Sequence, residues 1–150
     1  MKVNLRSARP EDHDWIVAVV DDWWGRPVTS AVPRLFLDLF HRTSLVAEID
    51  GEQVGFLIGF CSPSQDDCAY IHFVAVDPAH RGHSIGRLLY EEFLHLVRSE
   101  GHRIVSAVTA AVNVDSIAFH QQMGFAVSDP IDDYYRPGAT HVLFSKQLDG

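Results

Sequence analysis

Basic residues are scarce in this chain: 12 lysines and arginines stand against 20 aspartates and glutamates, a formal charge of −8 over 150 residues. A nucleic-acid binder normally presents a basic face, so that class is set aside. The acidity suits a cationic acceptor and equally suits ordinary solubility. Cysteine is scarcer still. Cys61 and Cys68 are the only two and form no CxxC pair, so neither a disulfide framework nor a thiolate zinc site is expected. No apolar run is long enough to cross a bilayer, and the opening Met1-Lys-Val-Asn-Leu-Arg6 lacks the apolar core of a secretion signal. The expectation is a cytoplasmic protein with no membrane partner. Nine histidines are many, but no HExxH or similar ligand spacing accompanies them, and no metal is expected.

What is present reads as one domain. About half of the residues are apolar and about a fifth charged, which is globular composition. Repeats, charge runs and low-complexity linkers are absent. Alternation over residues 3–7 predicts a strand, and Pro10 followed by Glu11, Asp12 and Asp14 opens a helix with Trp15, Ile16, Val19 and Val20 inward. Gly25-Arg26-Pro27 breaks it. A second helix starts at Pro33, with Leu35, Phe36, Leu39 and Phe40 expected to be buried. Strands over 44–49 and 53–60 flank an Asp50-Gly51 turn, and a third spans 69–76. Helices over 85–99 and 115–123 enclose a strand at 104–110, and strands at 125–127 and 141–144 close the chain. This order predicts an α/β (α+β) sandwich around one largely antiparallel sheet.

The chemistry concentrates in Val74-Ala-Val-Asp-Pro-Ala-His-Arg-Gly-His-Ser-Ile-Gly-Arg-Leu-Leu89, a strand, a glycine-bearing loop and a helix. Backbone N–H groups at such a junction, backed by the helix dipole, form an anion site. Gly82 and Gly86 admit a phosphate close to the backbone, and Arg81 and Arg87 can neutralise it. A nucleotide-triphosphatase loop is excluded because Gly86 is followed by Arg87-Leu88 rather than Lys-Ser/Thr. A dinucleotide fingerprint is excluded because no GxGxxG opens an early βαβ unit. Without further context, a glycine-rich helix start that binds nothing stays open.

Val-Asp-Pro-x-x-Arg-Gly-x-x-Ile-Gly-x-x-Leu-Leu resembles the acetyl-CoA signature of the GNAT superfamily of N-acetyltransferases. Asn113-Val-Asp-Ser-Ile-Ala-Phe-His-Gln-Gln-Met-Gly-Phe125 resembles that family's next helical segment. The resemblance covers about residues 3–148. It implies a mixed, largely antiparallel sheet of about seven strands with a central splay, flanked by about four helices, and acetyl-CoA as cosubstrate. It further implies that Arg81, Gly82, His83, Ser84, Ile85, Gly86 and Arg87 wrap the pyrophosphate. Val74 and Val76 would offer backbone bonds to the pantetheine arm, with Asn113, Ser116 and Phe119 beside it. Two positions depart from the family: Ser84 stands where glycine is usual, and His120 where many relatives carry a tyrosine that protonates the leaving thiolate.

Acetylation needs an amine freed of its proton, an oxyanion donor and a proton for sulfur. Family resemblance gives the oxyanion to the Val74 N–H. His72 interrupts an apolar strand where relatives often place a glutamate, and its unperturbed pKa near 6.5 suits a base. A hydrogen-bonded strand histidine is the alternative. His120 is the candidate acid, with a buried helix histidine as the alternative. For the acceptor, a small-molecule or peptide amine, Trp23, Trp24 and Tyr134 are the candidate contacts, with Asp21 and Asp22 beside the tryptophans. A coenzyme-binding module of weak catalysis is the rival reading, and a homodimer stays compatible with the sequence.

Overall fold

In the computed structural model, which describes residues 2–148, the chain opens with β1 (Val3–Ser7) and α1 (Asp12–Trp24). The Arg6 guanidinium donates to both Asp12 carboxylate oxygens at 2.9 Å and to Glu48 at 3.1 Å. One side chain thereby ties β1, the start of α1 and the next strand together. Burial alone would raise the Asp12 pKa, but hydrogen bonds from Arg6 and the Arg9 N–H outweigh it and hold the carboxylate below its ordinary value.

A short α2 (Arg34–Phe40) precedes β2 (Leu45–Ile49) and β3 (Glu52–Cys61). Asp50 and Gly51 join these strands with φ of 51° and 82°, the left-handed pair that a two-residue hairpin turn requires. Then follow β4 (Cys68–Val76), α3 (Ile85–Ser99), β5 (Ile104–Ala110), α4 (Val114–Gln122), β6 (Ala126–Val127), β7 (Ile131–Asp132) and β8 (Thr140–Gln147). The sheet runs β1-β2-β3-β4-β5-β8-β6, with β7 also on β8. Only the β4–β5 pair is parallel.

Helices cover both faces. Leu57, Leu89, Phe93, Val97 and Phe144 form the core under α3 and α4, while Ile16, Val20, Leu37, Phe56 and Phe73 form the one under α1 and α2. The sheet thus has the expected class and one strand more than expected, the short β7 lying between the strands expected at 125–127 and 141–144. Leu35 and Leu39, expected inside, are 56% and 64% exposed. The seven-residue α2 buries Leu37 instead, because it is apolar around its circumference and periodicity could not select a face. No described helix is long and apolar enough to cross a membrane.

The feature that creates a site is in the sheet centre. Pairing of β3 with β4 passes from Ile58↔Phe73 to Gly59↔Ile71, leaving His72 as an extra residue. Such a bulge bends its strand and breaks the alternation of side chains. Ile71 accordingly packs under α3, whereas Phe73 packs under α1 and α2. Pairing between β4 and β5 ends at Ile71↔Ala107, although β4 continues to Val76 and β5 to Ala110. The two strands part there, as the resemblance implied.

Candidate active site

The loop after β4 begins with Asp77, whose carboxylate accepts from the Ala79 N–H at 2.9 Å and starts a short 3-10 turn over Pro78–His80. Gly82 has φ 91° and Ser84 φ 58°. The second angle explains why glycine suits position 84, since a side chain in the left-handed region costs roughly 1–2 kcal/mol. The N–H groups of Ile85, Gly86 and Arg87 form the first turn of α3 and have no carbonyl within the helix to bond.

A Cβ built on Gly82 meets nothing within 4 Å, and one on Gly86 comes no closer than 3.9 Å to Phe119 and Val76. The chain's own packing therefore does not need glycine at 86. What remains is an open cradle of unpaired donors, as a pyrophosphate requires. His83 and Arg87 are exposed beside it, and His80 lies edge-on to His83. The Arg81 guanidinium reaches across and donates to the Trp23 carbonyl at 3.2 Å.

Next to this turn, with Arg81 on its wall, a cavity of about 630 Å³ extends along the parted strands, lined by Val74, Val76, Asn113, Ser116, Trp23 and Trp24 among others. A smaller one of about 100 Å³ shares Trp24, Val74, Asn113 and Ser116 with it and adds His72, Tyr90 and His120. The parting strands thus bring Val74, Val76, Asn113, Ser116 and both candidate histidines to one channel of adjoining cavities. The Asn113 carboxamide accepts from the Ser116 N–H at 3.3 Å and donates to Thr109 Oγ1 at 3.2 Å. Capping α4 therefore occupies the carboxamide oxygen and one of its amide hydrogens.

His72 lies on the α1–α2 side. Its Nε2 is 2.6 Å from the Ala31 carbonyl, and since a carbonyl only accepts, Nε2 carries the proton and Nδ1 keeps its lone pair. Phe36 packs edge-on against the ring at 4.4 Å. Burial pushes the pKa below its ordinary value, opposed by the bond to Ala31. The ring is neutral at pH 7, the form a base must have. Ala31 is held in place through Asp21, whose carboxylate accepts from the N–H groups of Val28 and Thr29 and from the Thr29 hydroxyl. Asp21 therefore pins the α1–α2 connection and is not free for an acceptor.

His120 has a different situation. It is 5% exposed, its ring lies flat on Phe144 at 3.8 Å, and Nδ1 donates to the Ser116 carbonyl at 2.7 Å. Its Nε2 accepts from the Tyr90 hydroxyl at 2.7 Å. Both ring nitrogens are used within the fold, and burial lowers the pKa. In this neutral form the imidazole anchors Tyr90. Tyr90 itself was not anticipated, because within the apolar stripe of α3 it reads as packing, and only the fold brings its hydroxyl to His120.

Residues 10–125 match the profile of the acetyltransferase (GNAT) family. The chain belongs to that family. An L-2,4-diaminobutyric acid acetyltransferase of Nocardia farcinica is 37% identical over 79 residues, 53% of this chain and 41% of the relative. The corresponding protein of Virgibacillus pantothenticus is 35% identical over 82 residues, 55% and 52% of the two chains. The chain thus spans about half the length of the curated relatives it matches. Among solved structures, a GNAT-family chain from Desulfovibrio desulfuricans superposes with a TM-score of 0.85 at 22% identity, over 99% of this chain and 100% of its own. YncA of Salmonella typhimurium, solved with its cofactor acetyl-CoA, gives 0.77 at 22%, over 100% and 96%.

The remaining candidates of this GNAT domain lie at the channel mouths. Trp23 packs edge-on against Trp15. Trp24 stacks on Phe73 at 4.6 Å and donates its indole N–H to the Val74 carbonyl at 3.3 Å. Both are half-buried and line the large cavity. Tyr134 is 50% exposed and stacks on Tyr135 over a third cavity. Among the described residues no cluster of histidine, cysteine or acidic side chains could hold a metal.

Replacing His120 by phenylalanine is expected to cost about 1–3 kcal/mol of stability, because the buried Tyr90 hydroxyl loses its acceptor. Turnover per folded molecule should fall by less than roughly tenfold, whereas loss of an acid costs about 10² or more. Denaturation and single-turnover rates measured together check this. The depressed His120 pKa also contributes stability that is complete above about pH 6.5 and is lost as pH falls through the folded value. The variant should lose part of that acid sensitivity.

Proposed function

We propose that this chain is a cytoplasmic acetyl-CoA-dependent N-acetyltransferase acting on a primary amine, on a small molecule or a peptide. The observation that carries the reading is the run of adjoining cavities from Arg81, Val74 and Val76 to His72, with the donor-lined turn Gly82–Arg87 following Arg81 directly in the chain. Arg81 to Arg87 and the backbone of Val74 and Val76 hold the coenzyme, with Ser116 and Phe119 beside its arm. Bound there, acetyl-CoA supplies an activated acetyl thioester. The Val74 N–H faces the carbonyl oxygen as negative charge develops.

His72 receives the proton that the attacking nitrogen sheds, on Nδ1, while Nε2–H stays on the Ala31 carbonyl. The imidazolium so formed returns that proton to the departing thiolate, which leaves the thiol of coenzyme A and a neutral amide. With His120 neutral and engaged, one histidine serves both transfers, and a covalent acyl-enzyme is unnecessary once both partners are held in place. L-2,4-Diaminobutyrate, the amine in the names of two relatives, is a reference compound for the test.

Thiol release from acetyl-CoA, followed with a panel of primary amines, tests the reading. Amine-dependent release well above the amine-free rate is the expected result. Coenzyme binding without any amine-dependent release would instead make the chain a coenzyme-binding module.

A further inference from the structure

The channel continues beyond His72. A third cavity, of about 370 Å³, shares Ala107 and Val108 with the central one and opens on the sheet face that α1 and α2 leave uncovered. The Tyr70 ring on its wall is 6.0 Å from that of His72. The three spaces therefore run in series: the large one beside Arg81, the small one at the histidine, and this one on the far side. A molecule presenting its amine to the central space would place its body in the third.

The chemistry of this lining is uniform. Phe60, Tyr70, Val108, Leu143 and Tyr134 form its walls, and three serines and a glutamine supply its polar points. Among the described residues no Asp, Glu, Lys, Arg or His lines it. Asp66, Asp67, Arg103 and Lys146 neighbour lining residues in sequence, yet none of them takes part. Tyr70 and Tyr135 bond to each other through their hydroxyls at 3.3 Å, and Tyr135 stacks on His141 at 4.2 Å, so the wall is braced from behind. Burial pushes the Tyr70 phenol well above its ordinary pKa, and it carries no charge at neutral pH.

Resting on the acetyl-transfer reading above, we infer that the acceptor is a monoamine with an uncharged aromatic or aliphatic body, and not a diamino acid. A second ammonium or a carboxylate carried into this space would meet no counter-charge, and the part of it covered by the apolar walls would lose water without gaining a partner. An aromatic body instead replaces water on the walls and pairs with Tyr70 and Phe60. The polar points suit a hydroxyl or amide on that body. The diamino acid of the relatives' names needs charged partners that this lining lacks.

The experiment compares kcat/KM for 2-phenylethylamine, propylamine, 1,3-diaminopropane and L-2,4-diaminobutyrate at saturating acetyl-CoA, expressed per concentration of free amine. Phenylethylamine is expected to exceed diaminobutyrate by about 10²-fold, the scale of one unpaired buried group together with a lost apolar body. In Ser145→Asp, which sets a carboxylate on an exposed lining position, 1,3-diaminopropane should gain about tenfold relative to propylamine. Diaminobutyrate as the better substrate of the wild type, or an unchanged diamine ratio in Ser145→Asp, overturns the inference while transfer itself stands. Absence of amine-dependent thiol release with every amine overturns the transfer reading and this one with it.

Discussion

Replacing Gly86 by leucine is expected to leave a folded protein whose melting temperature no longer rises with acetyl-CoA. In the wild type, coenzyme at a hundred times its Kd adds about 2.7 kcal/mol to the native state, or roughly 5–10 °C for a chain of this size. The fold tolerates a substituent because a Cβ at position 86 sits 3.9 Å from its nearest neighbours, Phe119 and Val76. A larger side chain extends beside Phe119 and Val76, and Val76 lines the coenzyme groove.

Alanine at the same position supplies the control. One methyl fits at ordinary contact distance and removes the helix penalty of glycine, so stability should rise by up to about 1 kcal/mol with coenzyme binding kept. Ser84→Gly should likewise keep or tighten binding, because glycine adopts φ 58° without strain. A leucine variant that still shows the full upshift would move the phosphate cradle away from this turn.

The order of strands, helices and turns was legible because each rests on local rules. The Asp50-Gly51 turn, the glycine-bearing helix start and the apolar stripe of α3 are all set by neighbours in sequence. The parting of β4 from β5 was known only through family resemblance. Its local cause, the unpaired His72 in the β3–β4 register, depends on how two strands align and not on what either contains. The side of α2 that would be buried was illegible for a related reason, as apolar residues surround that helix and only the sheet beneath selects Leu37.

The candidate histidines show the same boundary. His120 stood out through its place in a motif and His72 as a polar interruption of an apolar strand, but what their nitrogens do is decided by distant partners. Ala31 lies 41 residues from His72, and Tyr90 lies 30 residues from His120. The tyrosine missing from α4 left a gap in the motif. Tyr90 brings a phenol to the channel wall from α3, and the motif carries no trace of it. The third cavity was equally hidden, because its walls come from the loop around Tyr134 and from strands whose exposed face carries no pattern of its own.

His72→Gln is the substitution expected to cost most. Glutamine can present an amide N–H to the Ala31 carbonyl and so keep the bond that holds the α1–α2 connection, but it cannot accept a proton at pH 7. Turnover should therefore fall by about 10² or more, with the acetyl-CoA thermal shift unchanged and stability close to wild type. His72→Ala removes the bond as well and should lose stability in addition.

The pH dependence distinguishes a base from a packing residue. Burial places the His72 pKa below 6.5, so its neutral form prevails from neutral pH upward. Expressed per concentration of free amine, the wild-type rate should be flat above about pH 6.5 and fall as acid protonates Nδ1. In His72→Gln that acidic limb should disappear, and a low rate should persist across the range. If the limb remains and turnover stays near wild type, His72 is a strand histidine tied to Ala31. The proton would then leave through ordered water, and the base would have to be sought among the groups at the Trp24 mouth of the channel.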